Sequence, residues 1–151
     1  MSKIHLKVVS PERTLVDNEI EEVIVWTKTG QIAILPNHMP LVTEIEPGDI
    51  IIKTGKEDII AVIYGGFIQV KEKSEVLILA DGAEHLHELN EAEIKEAKER
   101  AEQAKKQSKG NKVIFAASEA ELARITTQLR SITRHSGIRR RHGKDIKELK
   151  H

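Results

Sequence analysis

The hydrophobic pattern of the chain changes its period near Ala80. Before this point, apolar residues alternate with polar ones in short runs, as Ile4, Leu6 and Val8 do at the start. Turn residues separate these runs at intervals of about 8–12 residues, which is typical of a β-sandwich or barrel. After Glu88, apolar residues recur at every third or fourth position, which indicates amphipathic helices. The pattern therefore predicts an α+β chain with its strands first and its helices last.

Two strand boundaries are predicted from polar residues that follow apolar runs. Leu15 and Val16 form a short run, and Asp17 and Asn18 after it favour a turn. The last strand is predicted to end at Leu79, where the polar residues of the next segment begin.

The helical part predicts an antiparallel hairpin. Asn90 is expected to cap the first helix, which Gly110 and Asn111 end. The second helix is predicted to begin at Ser118, where Glu121 completes a capping box. Two apolar stripes are expected to form the hairpin interface: Ile94, Ala97, Ala101 and Ala104 in the first helix, and Leu122, Ile125, Leu129 and Ile132 in the second.

The stretch from Gly30 to Leu41 predicts a stiff turn between two strands. Pro36 and Pro40 fix their own φ and push the preceding residues away from helical geometry. Asn37 between them tolerates turn conformations, and His38 can present a polar ring. We interpret this turn as a rigid surface that another molecule contacts.

Composition limits the classes of protein to consider. The chain has 151 residues, 39% hydrophobic and 32% charged, with no Cys, so cysteine-based metal and redox sites are excluded. No apolar run approaches the roughly 20 residues of a membrane span, and the start lacks the pattern of a secretion signal. From Arg134 onward there are seven basic and two acidic residues, a net charge of +5, which leaves −5 for the rest. This asymmetry indicates a tail that meets an acidic partner.

The sequence contains no convincing constellation of catalytic residues. Gly65 and Gly66 fit a turn or bulge better than a phosphate loop. His85 and His87 have no third ligand at helical spacing, so surface histidines are a better interpretation than a metal site. The basic run at 139–141 has few aromatic residues to accompany it, and a protein carboxylate patch is a better partner for it than nucleic acid. We expect no cofactor, no metal and no enzymatic activity.

Several segments together resemble the ε subunits of F-type ATP synthases. They are the proline turn from Gly30 to Leu41, the strand Tyr64–Val70 with its Gly65-Gly66-Phe67 sequence, the strand Val76–Asp81, and the helix start Glu88–Ala92. The resemblance covers residues 1–132. It implies a ten-stranded β-sandwich over residues 1–85 and a helical hairpin over 86–135. The basic tail over 136–151 has no match in the family.

The resemblance also implies a function and partners. Members of this family are non-catalytic central-stalk subunits that couple the γ subunit to the c-ring during proton-driven ATP synthesis. Their hairpin restrains ATP hydrolysis by reaching the α/β catalytic head. The implied location is peripheral, on the cytoplasmic face of the cell membrane, with membrane association only through the complex.

Individual positions take roles from the same resemblance. Gln31, Asn37 and His38 correspond to the loop that approaches the c-ring, although family members often carry an acid where Gln31 stands. Arg124, Arg130 and Arg134 correspond to basic residues that meet the catalytic head.

Some bacterial members bind ATP through a motif whose acid and arginine are Asn90 and Glu93 here. A carboxylate at Glu93 repels phosphate, so we predict that ATP binding is absent or very weak.

The same features also fit a second hypothesis of a different class. The chain could be a free-standing β-sandwich binding module that self-associates through its helical hairpin. Copurification with a large hexameric ATPase would favour the stalk subunit over this alternative.

Overall fold

In the computed structural model, which describes residues 2–136, ten strands in two sheets are followed by two helices. The strands are β1 (Ile4–Val9), β2 (Thr14–Ile20), β3 (Glu22–Thr27), β4 (Gly30–Ile34), β5 (Leu41–Ile45), β6 (Gly48–Lys53), β7 (Asp58–Ile63), β8 (Gly66–Val70), β9 (Glu75–Ala80) and β10 (Ala83–His85). The helices are α1 (Glu91–Gln107) and α2 (Lys112–Arg134).

The first sheet has the strand order β2-β1-β9-β8-β5, and the second has the order β10-β7-β6-β3-β4. Strands β1 and β9 pair in parallel, whereas the other described pairs are antiparallel. Side chains that alternate along each strand fill an aliphatic core between the sheets, with Ile4, Leu6, Val8, Ile68 and Ile78 fully buried. The predicted sandwich followed by a helical hairpin is confirmed.

The predicted turn at Asp17 and Asn18 is wrong. Both residues lie inside β2, where Asp17 is the ladder partner of Lys7 and Asn18 that of Leu6. A polar pair can remain extended here because the backbone bonds of β1 hold it and its side chains face solvent. The residue pattern also missed β10, a strand of three residues that pairs with β7 and is too short to show a period.

The start of α1 agrees with the sequence analysis, since the Asn90 side chain accepts a hydrogen bond of 3.1 Å from the Glu93 N–H. The predicted start of α2 at Ser118 is wrong. The helix begins at Lys112, and the Asn111 side chain caps it by accepting from the N–H groups of Val113 and Ile114 at 3.2 Å each. Ser118 is a buried residue inside the helix.

The chain divides into two compact units between Leu86 and His87. In the second unit, α1 packs against α2. Helix α2 ends at Arg134 with His135 as its C-cap, and residues 137–151, which include most of the predicted basic tail, lie outside the described residues. Within residues 2–136, no helix is both long enough and apolar enough to span a bilayer.

Candidate interaction surfaces

The proline turn is a hydrogen-bonded β-turn. The His38 N–H donates to the Leu35 carbonyl at 3.1 Å, with Pro36 and Asn37 at the two central positions. Asn37 has a φ of 66°. Proline followed by a residue of positive φ defines a type II turn, in which asparagine is among the few non-glycine residues tolerated.

A second turn, Glu72–Ser74, lies at the same end of the sandwich. It joins β8 to β9, and the pairing of Leu41 with Val70 brings the start of β5 beside it. The Asn37 N–H donates to the Ser74 hydroxyl at 2.9 Å, so the two turns are joined directly.

The hydrogen bond of His38 fixes which ring nitrogen faces outward. Its Nδ1 lies 2.8 Å from the Met39 carbonyl oxygen. A carbonyl only accepts, so Nδ1 carries the proton in the neutral ring and Nε2 remains an acceptor.

The structure brings two of the three predicted c-ring residues into one turn. Asn37 is exposed and His38 is half-buried, whereas Gln31 is exposed on the edge strand β4, opposite Trp26. The apolar side chains that flank the turn were not predicted from the sequence. Leu35 is 52% exposed and Met39 is 77% exposed.

Three apolar side chains face solvent on the outer face of the first sheet, which we call the exposed sheet face: Val42, Phe67 and Leu79. Phe67 and Leu79 are ladder partners on β8 and β9, and Val42 on β5 lies diagonal to Phe67. Their exposed fractions are 67% for Val42, 55% for Phe67 and 52% for Leu79. Exposed apolar groups that adjoin one another are characteristic of interaction sites. In the sequence, this face is indicated only by Phe67, an apolar residue at an outward-facing position of a regularly alternating strand.

The predicted hairpin residues divide by exposure. Ile94, Ala101, Ile125 and Ile132 are buried, while the other members of the two stripes, Ala97, Ala104, Leu122 and Leu129, are half-buried. Arg124, Arg130 and Arg134 are exposed on α2. Arg130 and Arg134 line an open groove of the hairpin with Lys98, and Arg124 lies outside it.

The hairpin tip also exposes apolar groups, Val113 at 80%, Ile114 at 46% and Phe115 at 41%. The Lys105 ammonium lies 5.2 Å from the centre of the Phe115 ring and 3.5 Å from a Glu119 carboxylate oxygen. This tip was not predicted from the sequence, because the predicted start of α2 at Ser118 leaves these residues before the helix.

One charged cluster stands out on the first sheet. The His5 ring lies between two carboxylates, with Nε2 2.8 Å from Asp17 and Nδ1 3.2 Å from Glu19. The hydrogen bond to Glu19, aided by Asp17, raises the pKa of His5 above its ordinary value. In the part of the chain that the structure describes, no group of three or more His, Asp or Glu side chains is arranged to hold a metal ion.

Comparison with known proteins gives a family match for the sandwich. The family model described as "ATP synthase, Delta/Epsilon chain, beta-sandwich domain" matches residues 3–86.

Similar curated proteins extend the match into the hairpin. An ATP synthase epsilon chain of Dehalococcoides mccartyi is 34% identical over 130 residues, covering 86% of this chain and 92% of the relative. The epsilon chain of Dichelobacter nodosus is 37% identical over 134 residues, covering 85% and 93%. That of Legionella pneumophila is 39% identical over 130 residues, covering 85% and 91%.

A solved structure shares the fold. A chain from the cryo-EM structure of the Euglena gracilis mitochondrial ATP synthase has a TM-score of 0.73 and 19% identity, with 87% of this chain and 82% of that chain covered.

Proposed function

We propose that this chain, which belongs to the family of ATP synthase epsilon chains, is a non-catalytic subunit of the rotating central stalk. In this role the sandwich couples the γ subunit to the c-ring during ATP synthesis, and the hairpin restrains ATP hydrolysis at the catalytic head. The observation that carries the proposal is the similarity to epsilon chains over 130 residues, a span too long to be confined to the sandwich.

The exposed sheet face supports a protein partner, which we assign to γ. Val42, Phe67 and Leu79 offer adjoining apolar area on a rigid five-stranded sheet. Burial of such side chains stabilises a permanent interface by roughly 1.5–3 kcal/mol for each large residue. A rotor coupling needs an attachment that does not slip, and a sheet deforms less than a loop.

The proline turn supports contact with the polar loops of the c-ring. Asn37 offers an amide, and His38 offers Nε2 as an acceptor because Nδ1 is engaged by the Met39 carbonyl. Gln31 is a neutral amide, so it also offers hydrogen bonds in place of a charge pair. We therefore assign this contact to shape and hydrogen bonding, which act at short range, rather than to a salt bridge.

The hairpin supports a regulatory role. We infer that the two apolar stripes hold α1 against α2, and that Arg124, Arg130 and Arg134 contact acidic residues of the catalytic head. These guanidinium groups are exposed and lie on the last three turns of α2. Arginine suits such contacts because its planar group can bind a carboxylate through two hydrogen bonds.

The location follows from the complex. We assign the chain to the cytoplasmic face of the cell membrane, bound through the other subunits.

Copurification tests the attachment to the stalk. A tagged chain is expected to recover γ and the catalytic head, and Phe67→Glu is expected to weaken that recovery by roughly ten- to a hundredfold, because a large apolar contact is lost. Val113→Glu is a matched control, since it places the same charge at an exposed apolar position of the hairpin tip. Recovery of the Phe67→Glu chain at the wild-type level would contradict the assigned γ interface.

A further inference from the structure

The two joined turns share an unusual backbone conformation. Among residues 2–136, the non-glycine residues with positive φ are Asn37 at 66°, Lys73 at 61° and Ser74 at 58°. All three lie in the proline turn or in the turn Glu72–Ser74. Left-handed backbone at a non-glycine residue costs free energy and persists only where surrounding structure holds it. This left-handed conformation is confined to the two turns, which indicates that surrounding contacts hold their backbone in one geometry.

The hydrogen bond between the turns acts on one particular peptide group. Type I and type II turns differ by a flip of the peptide that joins their two central residues, which reverses ψ of the first and φ of the second. Here that peptide joins Pro36 to Asn37, and its N–H is the group that donates to Ser74. Either turn type is open to a Pro-Asn pair, because proline suits the second position of both and asparagine suits the third.

The second turn is itself held in place, which allows it to act as an anchor. The Lys71 N–H donates to the Glu75 carbonyl at 2.7 Å and closes the turn between β8 and β9. Ser74 is half-buried, whereas its partner Asn37 is exposed. The Ser74 hydroxyl is therefore held in place more firmly than the Asn37 N–H that donates to it.

We propose that Ser74 is a positioning residue for c-ring docking, which selects the type II form of the proline turn and so aims the side chains of Asn37 and His38. This inference rests on the proposed function for its c-ring partner. The hydrogen bond from the Asn37 N–H to the Ser74 hydroxyl, which we call the latch, rests on the geometry of the two turns alone. When the hydroxyl is removed, the Pro36–Asn37 peptide loses its anchor and the type I form becomes populated. The docking side chains then point in more than one direction, and the contact weakens without any change in its own residues.

The latch is tested in the isolated full-length chain by NMR. In a type II turn the Pro36 α-proton lies close to the Asn37 amide proton, and in a type I turn the two are further apart. The wild-type chain is expected to show a strong cross-relaxation signal between them, and Ser74→Ala a weak one. Amide exchange at Asn37 is expected to be about three- to tenfold faster in Ser74→Ala, as for the loss of one hydrogen bond. Ser74→Asn is the rescue variant, because asparagine supplies an acceptor oxygen and tolerates positive φ.

The docking consequence is tested in the assembled enzyme. The chain has no cysteine, so Met39→Cys beside the turn is a unique attachment point for a photoreactive maleimide. The yield of crosslinks to c subunits is expected to fall about three- to tenfold when Ser74→Ala is added, and to recover with Ser74→Asn.

The outcomes separate the inference from the proposed function. A strong Pro36 to Asn37 signal and an unchanged crosslink yield in Ser74→Ala would overturn the latch. If Met39→Cys alone gives no crosslink to c subunits, the proposed c-ring contact fails, while a signal lost in Ser74→Ala and regained in Ser74→Asn still supports the latch.

Discussion

Replacement of Gly66 by any other residue meets a close backbone contact. It has a φ of 146°, and a Cβ at this position would lie 2.1 Å from the carbonyl oxygen of Leu79 on the neighbouring strand. Gly66→Ala is expected to lower the free energy of unfolding by about 3 kcal/mol or more, because two paired strands must separate to make room. Chemical denaturation measures the loss.

Gly110 provides the control for that substitution. Its φ is also positive, at 81°, but a Cβ there would have no atom within 4 Å. Gly110→Ala is expected to cost about 1–2 kcal/mol, from backbone strain alone. Equal losses for the two variants would show that strain, and not the contact with Leu79, determines the effect.

His5 gives stability a pH dependence of known sign. Its pKa is raised in the folded state, above the value near 6.5 that we take for the unfolded chain. The stabilisation is therefore fully present below the unfolded pKa and is lost as pH rises through the folded pKa. His5→Gln is expected to lower the thermal midpoint at about pH 5.5, with a smaller difference from wild type at about pH 8.5. A difference that is constant with pH would contradict the assignment of the raised pKa to the Asp17 and Glu19 carboxylates.

Alanine substitutions distinguish two candidate N-caps of helix α2, Asn111 and Ser118. Asn111 caps the helix in the structure, so Asn111→Ala is expected to destabilise the chain by about 1 kcal/mol. Ser118 was the cap predicted from sequence. Inside the helix its replacement by alanine is expected to have a smaller effect, because alanine is the better helix former. Thermal unfolding followed by circular dichroism compares the two, and a larger loss for Ser118→Ala would contradict the observed boundary.

Strands and helices were predictable to the degree that they repeat a pattern. Strand β8 alternates buried and exposed residues over five positions, and α1 begins with a clear cap at Asn90. Asp17 and Asn18 lack such a signal, since what keeps them extended is the neighbouring strand β1. The start of α2 was missed because Ser118 and Glu121 form a valid capping motif, but Asn111 caps the helix first.

The candidate interaction surfaces were likewise predictable only where neighbouring residues in the chain determine them. The proline turn was identified because Pro36, Asn37 and Pro40 constrain the backbone locally. The bond from Asn37 to Ser74 joins residues 37 positions apart, and no local pattern records it. The exposed sheet face depends on which strands adjoin in the first sheet, and this order follows from pairing across the whole sandwich.

The whole chain is expected to lack ATP binding. The Asn90 side chain is engaged as a helix cap, and Glu93 puts a carboxylate where phosphate would need a cation. Isothermal titration of the complete chain is expected to give no binding at micromolar ATP. A saturable heat in that range would contradict the prediction and would call for another set of phosphate ligands.

Restraint of hydrolysis is a property of the assembled enzyme. Replacement of Arg124, Arg130 and Arg134 together by alanine is expected to raise ATP hydrolysis by roughly three- to tenfold, since exposed ion pairs contribute about 0.2–1 kcal/mol each. The matched control replaces Lys95, Arg100 and Lys106 by alanine. This removes the same total charge from exposed positions of α1. Equal rates for both triple variants would indicate a general charge effect and would remove the proposed contacts.

The parallel pairing of β1 with β9 sets the order in which the chain can fold during synthesis. His5 pairs with Glu75 and Val9 with Leu79, so the first strand of the sandwich gains this neighbour only after some seventy further residues have been made. Closing so long a loop is entropically costly, and sheets with non-local pairs fold slowly. Helices α1 and α2 pack against each other and follow the last strand in the chain. The growing chain therefore holds an unpaired edge of β1 until β9 leaves the ribosome, and this interval is the period in which it is most exposed to aggregation and most in need of a chaperone.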